Sequence, residues 1–371
     1  AWIRLGYTPS SILLEVEDKF AYQSARGFAV PEAYTARQFR ELGRFCQSLF
    51  VEVIPKLQCL GHVDYLLRLK RYAHLRENRH PYQYCPRHPG TFRLWSGMAA
   101  ELLACFPDHP RFHVGGDETA HLGECPVCRR YRKADNYVYH VGRCLDFVRA
   151  HGRTPILWDD ILRNLHGHLA PDELERTWVL GERAILMYWA YGYGGRDNTF
   201  PFLRRYLDRG MRVWGASGFS GCGPGWFDNI PPLRQRAQNI AAWTKSAVEH
   251  GLEGVVATAW TRITSCHPPT EIPEACWPHM LYVAESTWRG QERDLTEFGR
   301  VAMRSFFGTE LPEHLDFIMD LDRQRLPATS SVYRSRRPRG GRRQDRHASG
   351  RRLCYHAGRR PAGPARERQQ R

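Results

Sequence analysis

The chain is predicted to fold as a parallel α/β barrel of the eight-stranded (β/α)8 TIM type. Short apolar runs of strand length alternate with longer segments of helical periodicity from residue 11 to about residue 306. Acids, a histidine and aromatic residues gather at the C-terminal ends of those runs, where parallel barrels carry their chemistry. The 371 residues, 42% of them apolar, suffice for one large barrel with a sizeable core.

The strands are expected, in order, at residues 11–17, 50–58, 111–116, 155–160, 185–191, 212–217 and 254–260. Each is short and apolar, as strands covered on both faces should be. Helices are expected between them at 35–49, 94–106, 128–151, 232–250 and 275–288. In the first, Phe39, Leu42, Phe45 and Leu49 recur at helical spacing. Gly152, Gly210 and Gly251 stand where a helix C-terminus favours glycine. Seven strands are visible where eight close a barrel, and the order places the absent one first, ahead of Ala1. Residues 2–5 are the segment at hand to fill that seam.

Beyond about residue 330 the composition turns to Arg, Gly and Pro without apolar periodicity. Such a segment cannot bury a core and is expected to be disordered. The expected domains are therefore a catalytic barrel over 1–330 and a basic tail over 331–371. Fourteen arginines and two acids between Arg334 and Arg371 carry +12 of the net +15, leaving +3 for the rest. The positive charge thus belongs to the tail. Nucleic acid, which an arginine-rich tail could hold through phosphates, is not the expected partner of the body. A segment free of folding constraint, such as a shifted reading frame, is the preferred account of the tail.

Eleven cysteines at irregular spacing do not form the framework of a small secreted domain. They fit a reducing compartment, and the chain is expected to be cytoplasmic. No apolar run reaches membrane-spanning length, and no signal peptide is visible. The chain begins at Ala1 and not Met, so the native N-terminus is expected upstream.

The most informative stretch is Arg111-Phe-His-Val-Gly-Gly-Asp-Glu-Thr119. An apolar strand ends in two glycines and then two adjacent acids. Like charges held this close are expected to raise each other's pKa, keeping one acid protonated near neutral pH. A protonated acid beside an ionised one can cleave a glycosidic bond. The other strand ends carry Glu17-Asp18, Gln58 with Gly61-His62, Trp158-Asp159-Asp160, Trp189 with Tyr191, Ser217-Gly-Phe219, and Trp260. Asp159 and Asp160 could instead be helix N-caps.

His113-Val-Gly-Gly-Asp-Glu118 resembles the His-x-Gly-Gly-Asp-Glu signature of family 20 glycoside hydrolases, the β-N-acetylhexosaminidases. Val53-Ile-Pro-Lys-Leu-Gln-Cys-Leu-Gly-His62 is similar to that family's preceding strand. Leu14-Glu-Val-Glu-Asp-Lys-Phe20, Tyr72-Ala-His-Leu-Arg-Glu77, His121-Leu-Gly-Glu124 and Leu157-Trp-Asp-Asp160 resemble its hexosaminidase D-like branch. The resemblance covers residues 5 to 305. It implies a retaining exo-enzyme acting on terminal β-linked GlcNAc or GalNAc of a glycan or glycoconjugate. Glu118 would be the general acid and base. Asp117 would orient the substrate's acetamido group, which is itself the nucleophile and closes to an oxazolinium intermediate. His62 and His113 would support the carboxylates. Trp158, Trp189 and Trp260 would wall the sugar, with Tyr191 a weaker candidate for holding the acetamido oxygen. Two departures stand out: Ser217-Gly-Phe219 lies where the family's tyrosine is usual, and Arg262 where many members carry an acid.

Cys125-Pro-Val-Cys128, with His121 just before it, is half of a structural zinc site, which Cys85 or Cys105 could complete if the fold brings them close. Free thiols are the preferred expectation, and no metal or cofactor is expected. Two other readings compete. One is a truncated barrel that binds sugar weakly or not at all. The other is a metal-dependent hydrolase using His62, His113 and Asp117, for which no suitable ligand spacing appears.

Overall fold

A computed structural model of the chain describes residues 11–192, 198–222, 231–260, 271, 273–304 and 308. The chain divides into units 1–328 and 329–371. The second unit, the expected tail, Arg262 and residues 2–5 lie outside the described residues.

Seven strands form one parallel sheet in sequential order: β1 (Ser11–Glu15), β2 (Glu52–Lys56), β3 (Arg111–His113), β4 (Thr154–Trp158), β5 (Ile185–Trp189), β6 (Val213–Ser220) and β7 (Gly254–Ala259). Each expected strand is present. Among the described residues β1 and β7 are the edges. The crossovers hold helices α1 (Ala36–Ser48), α2 (Asp64–Leu67), α3 (Pro89–Cys105), α4 (Lys133–Ala150), α5 (Leu203–Leu207) and α6 (Leu233–His250). Helices α7 (Trp277–Arg289) and α8 (Leu295–Ala302) follow β7. No described helix is long and apolar enough to cross a membrane.

Local chemistry explains the helix ends. Thr35 and Gln38 cap α1 reciprocally: Gln38 N–H donates to Thr35 Oγ1, and Thr35 N–H to Gln38 Oε1 at 2.9 Å. Pro89 opens α3 five residues earlier than the apolar pattern suggests, because proline suits the first helical turn. The helix expected over 128–151 is broken. A 3-10 turn over Cys128–Arg130 precedes α4, since Cys128 is held by its neighbours instead of entering the helix. α6 ends on Gly251 in the left-handed region.

Side chains alternate across the sheet, as strand geometry requires. Ile54, Ile156, Trp158, Ile185, Met187, Trp214 and Ala216 pack with Leu13, Trp189, Val256 and Trp260 on one face. Val53, Phe112, Leu157, Leu186 and Val213 face the larger cluster that contains Trp95, Tyr137, Leu145 and Trp243 from the helices. The first face is the packed interior of a TIM-barrel-like fold.

Most strands stop one to three residues short of the apolar runs that suggest them. The last residues of those runs leave the ladder to build the strand-end loops. Backbone bonds persist just beyond the named strands: Leu57 N–H donates to His113 O, Cys59 N–H to Val114 O, and Val114 N–H to Ile156 O.

Trp243 ties α6 to the end of β5. Fully buried, it stacks on Phe200 at 3.5 Å between centroids and donates from Nε1 to Ala190 O at 3.0 Å. Trp243→Ala is expected to cost about 3–5 kcal/mol of stability, measured by urea denaturation, and Trp243→Phe less.

Candidate active site

The turn after β3 is built to make two acids emerge together. Gly115 (φ +71°) and Gly116 (φ +86°) reverse the chain. A Cβ at Gly115 would fall 1.9 Å from Gln58 Oε1, so nothing larger fits. Gln58 uses both ends of its amide on this turn. Its Oε1 accepts from Gly116 N–H at 3.2 Å, and its Nε2 donates to Asp117 Oδ1 at 2.9 Å. Tyr137 of α4 donates to Gly116 O at 2.9 Å. Glu118 follows in the left-handed region at φ +49°, an uncommon conformation for glutamate. Its N–H donates to Asp160 Oδ2 at 2.8 Å, and its carbonyl accepts from Tyr82 OH at 3.2 Å.

Both carboxylates meet His62. Its Nε2 lies 3.4 Å from Asp117 Oδ2, 3.2 Å from Glu118 Oε2 and 3.0 Å from Tyr82 OH. Gly61 lets the two loops touch, because a Cβ there would lie 2.9 Å from Asp117 O. His166 Nε2 approaches Glu118 Oε1 and Asp160 Oδ2, each at 3.7 Å.

The charges differ from those expected of an isolated acid pair. Burial disfavours the ionised form of both acids, but His62 outweighs it, with Lys56 and Gln58 adding at Asp117. Asp117 and Glu118 are both held below the usual carboxylate range. His62 shows the converse: burial lowers its pKa, yet the two carboxylates raise it well above 6.5. Mutual elevation of the pair is therefore overturned by the imidazolium between them. The acid driven up is Asp160, by burial and then by the charge of Asp117. Asp160 Oδ1 is buried without a hydrogen-bond partner. Asp159 accepts from Arg163 Nε at 2.8 Å, and no described helix starts directly after Asp159 or Asp160, so neither is an N-cap.

His113 reaches the acids only through the turn. It makes no hydrogen bond to either carboxylate; its Nδ1 accepts from Gly115 N–H at 2.9 Å and its ring packs on Trp158 at 4.6 Å. Burial, then Lys56, push its pKa well below 6.5. The neutral ring holds the turn. Trp158 is likewise buried, at 1% exposure, beneath Trp260 at 6.0 Å, and so underlies the site instead of walling it. Trp189 and Trp260 are partly exposed. Trp260 Nε1 donates to Tyr191 OH at 2.9 Å, and Tyr191 stacks on Trp189 at 5.3 Å. Trp189 lies 6.0 Å from His166, which completes an aromatic arc from Trp260 round to Glu118. Ser217 is buried in β6 and Phe219 is partly exposed beside it.

Lys56, His166, Tyr82 and Asp160 are the contributors that sequence reasoning missed or misread. Lys56 is buried, paired with Glu15 at 2.6 Å, and lies over the Trp158 and Trp260 rings at 5.6 and 5.1 Å. Its signal was a lysine inside an apolar strand. Tyr82 and His166 lie in loops, where no periodicity marks them. Glu17, two residues past β1 in a 3-10 turn, is raised to about 7 by burial and then by Glu15.

The family described as "Glycosyl hydrolase family 20, catalytic domain" matches residues 15–291. Hexosaminidase D of Bos taurus is 26% identical over 323 residues, 83% of this chain and 91% of the relative. Hexosaminidase D of Homo sapiens is 29% identical over 299 residues, 76% of this chain and 60% of the relative. The chain thus spans most of the bovine relative but less than two thirds of the human one. Two solved structures share the fold. The chitobiase of Flavobacterium johnsoniae matches with TM-score 0.57 at 16% identity, over 84% of this chain and 48% of that one. The β-N-acetylhexosaminidase of Bacteroides fragilis matches with TM-score 0.55 at 17% identity, over 84% and 65%.

Two outcomes are expected from this geometry. Gly115→Ala forces a side chain into Gln58 at positive φ and is expected to cost about 2–4 kcal/mol in urea denaturation. Glu17 binds its proton more tightly folded than unfolded. Its stabilising contribution is complete below its ordinary pKa of 4.5 and is lost as pH rises through about 7. Glu17→Gln should therefore flatten the fall in denaturation midpoint across that window; an unchanged profile would refute the assignment.

Proposed function

The chain belongs to glycosyl hydrolase family 20, and on that premise we propose that it is a retaining exo-β-N-acetylhexosaminidase using substrate-assisted catalysis. The observation that carries the reading is the shared contact of Asp117 and Glu118 with one nitrogen of His62. Two acids gathered on one imidazole approach a substrate from the same side. A pair acting alone on a glycosidic bond must flank it, as nucleophile or base opposite the acid. The second face must then be served by the substrate.

The two acids suit different tasks. Asp117, buried and held ionised by His62, Lys56 and Gln58, is a fixed anion. It would accept a hydrogen bond from the acetamido N–H and stabilise the positive charge of the oxazolinium. Glu118 is the more open, with 43% of its side chain exposed. It would give a proton to the leaving oxygen as the glycosidic C–O bond breaks and the acetamido oxygen bonds to the anomeric carbon. In the second half it would take a proton from the water that reopens the ring, with net retention. Because Glu118 rests ionised beside charged His62, the proton it delivers would come from the imidazolium, which would take it back in the second half. Trp189 and Trp260 would stack on the sugar. Tyr191 OH accepts from Trp260 Nε1 and would donate to the acetamido oxygen. A terminal β-linked GlcNAc or GalNAc of a glycan or glycoconjugate is the proposed substrate.

Hydrolysis of chromogenic N-acetyl-β-glucosaminide and its galacto isomer tests this. Glu118→Gln should lower kcat by about 10²–10⁴-fold, and Asp117→Asn should slow turnover comparably. The first sugar released should be the β-anomer by NMR, and an N-trifluoroacetyl substrate should react more slowly because its acetamido oxygen is a poorer nucleophile. A folded, monodisperse sample inactive on both isomers would overturn the proposal in favour of the non-catalytic, weakly sugar-binding barrel. An α-anomeric product would exclude retention.

A further inference from the structure

We propose that Glu77, Cys85, Cys125 and Cys128 form a structural zinc site that staples the Tyr82 loop to the segment following Glu118. One ligand atom from each lies within 4.8 Å of the others, and no other group of three or more His, Cys, Asp or Glu side chains meets this closeness among the described residues. Cys85 Sγ is 3.6 Å from Cys125 Sγ and 3.5 Å from Cys128 Sγ. Thiolates on a tetrahedral zinc, with Zn–S near 2.3 Å, sit about 3.8 Å apart. The sulfurs are therefore already at ligand spacing.

The surroundings fit a cation. Glu77 is buried at 1% exposure. Its Oε1 accepts from Glu124 N–H at 2.7 Å and Cys125 N–H at 3.1 Å, while its Oε2 is buried with no hydrogen-bond partner. An orphaned carboxylate oxygen facing three thiols is costly unless a cation joins them. The Cys125-Pro-Val-Cys128 turn also fixes one of the sulfurs in place: Cys128 N–H points at Cys125 Sγ at 3.3 Å. A disulfide would consume two sulfurs and leave the third and the carboxylate unserved. Three sulfur donors and one oxygen suit zinc and not calcium or magnesium. Of the partners considered from sequence, Cys85 completes the set. Cys105 does not belong to it, and His121 Nδ1 instead pairs with Glu124 Oε1 at 2.8 Å.

The position gives the site its purpose. Between Glu77 and Cys85 lies Tyr82, which contacts both His62 Nε2 and the carbonyl of Glu118. Cys125 and Cys128 follow Glu118 closely in sequence. Further bonds run in parallel, with Glu77 N–H donating to Gln83 O and His121 N–H to Gln83 Oε1 at 3.0 Å. Zinc content is independent of the hydrolase reading, so its test does not use activity.

The experiment uses the full chain, expressed with added zinc, reduced with a phosphine and desalted. Elemental analysis is expected to give one zinc per chain. Replacement by cobalt(II) should produce the visible bands and thiolate-to-cobalt charge transfer of a tetrahedral sulfur-rich site. Cys125→Ser should abolish those charge-transfer bands or weaken them sharply, and Glu77→Gln should weaken zinc binding on the order of tenfold or more. Zinc removal should speed hydrogen exchange in peptides covering 77–85 and 119–128 above the rest of the barrel. A folded, reduced wild-type chain that takes up neither zinc nor cobalt would overturn the proposal. So would an intact mass lower by a pair of hydrogens, with Cys85 disulfide-linked, in protein purified without reductant.

Discussion

Asp117 and Glu118 leave a buried strand side by side, and without a cation one of them would have to stay neutral or turn away. His62 supplies that cation. Its own burial opposes protonation, so the imidazolium and the two carboxylates exist in their charged forms only together. The surrounding loops serve this triad. Gly61 allows the His62 loop to reach Asp117, Gln58 clamps the turn from one side and Tyr137 from the other, and Tyr82 spans from the imidazole to the Glu118 carbonyl.

Beneath the triad lies a second charged pair. Lys56 and Glu15 face each other in register across β1 and β2, inside an otherwise apolar interior. Lys56 is covered by Trp158 and Trp260, so its charge is weakly screened by solvent and acts upward on Asp117 and His113. It helps hold Asp117 ionised and His113 neutral. The floor of the site is thus an electrostatic element as much as a packing one.

Strand positions were legible because each apolar run reports a local property, burial on both faces, that one segment carries alone. The Asp117–Glu118 pair was legible for the same reason: the glycines before it announce a turn. Contacts between distant segments were not. His62 could be named as a strand-end histidine, but its role as shared counter-ion depends on where the β2 and β3 loops meet. His113 supports the acids through the turn and not by direct contact, because strand alternation sends its ring inward against Trp158. Tyr82 and His166 come from irregular loops, whose geometry no repeat encodes. The Cys125-Pro-Val-Cys128 turn was visible as half a site, and only the fold could choose Cys85 over Cys105.

Residue 118 sits at positive φ, where backbone energetics favour glycine or asparagine and disfavour glutamate. Chemistry and conformation therefore pull in opposite directions at one position. The His62 contact of its carboxylate and the Asp160 and Tyr82 bonds of its backbone are what hold the glutamate in a shape that its own chain geometry resists.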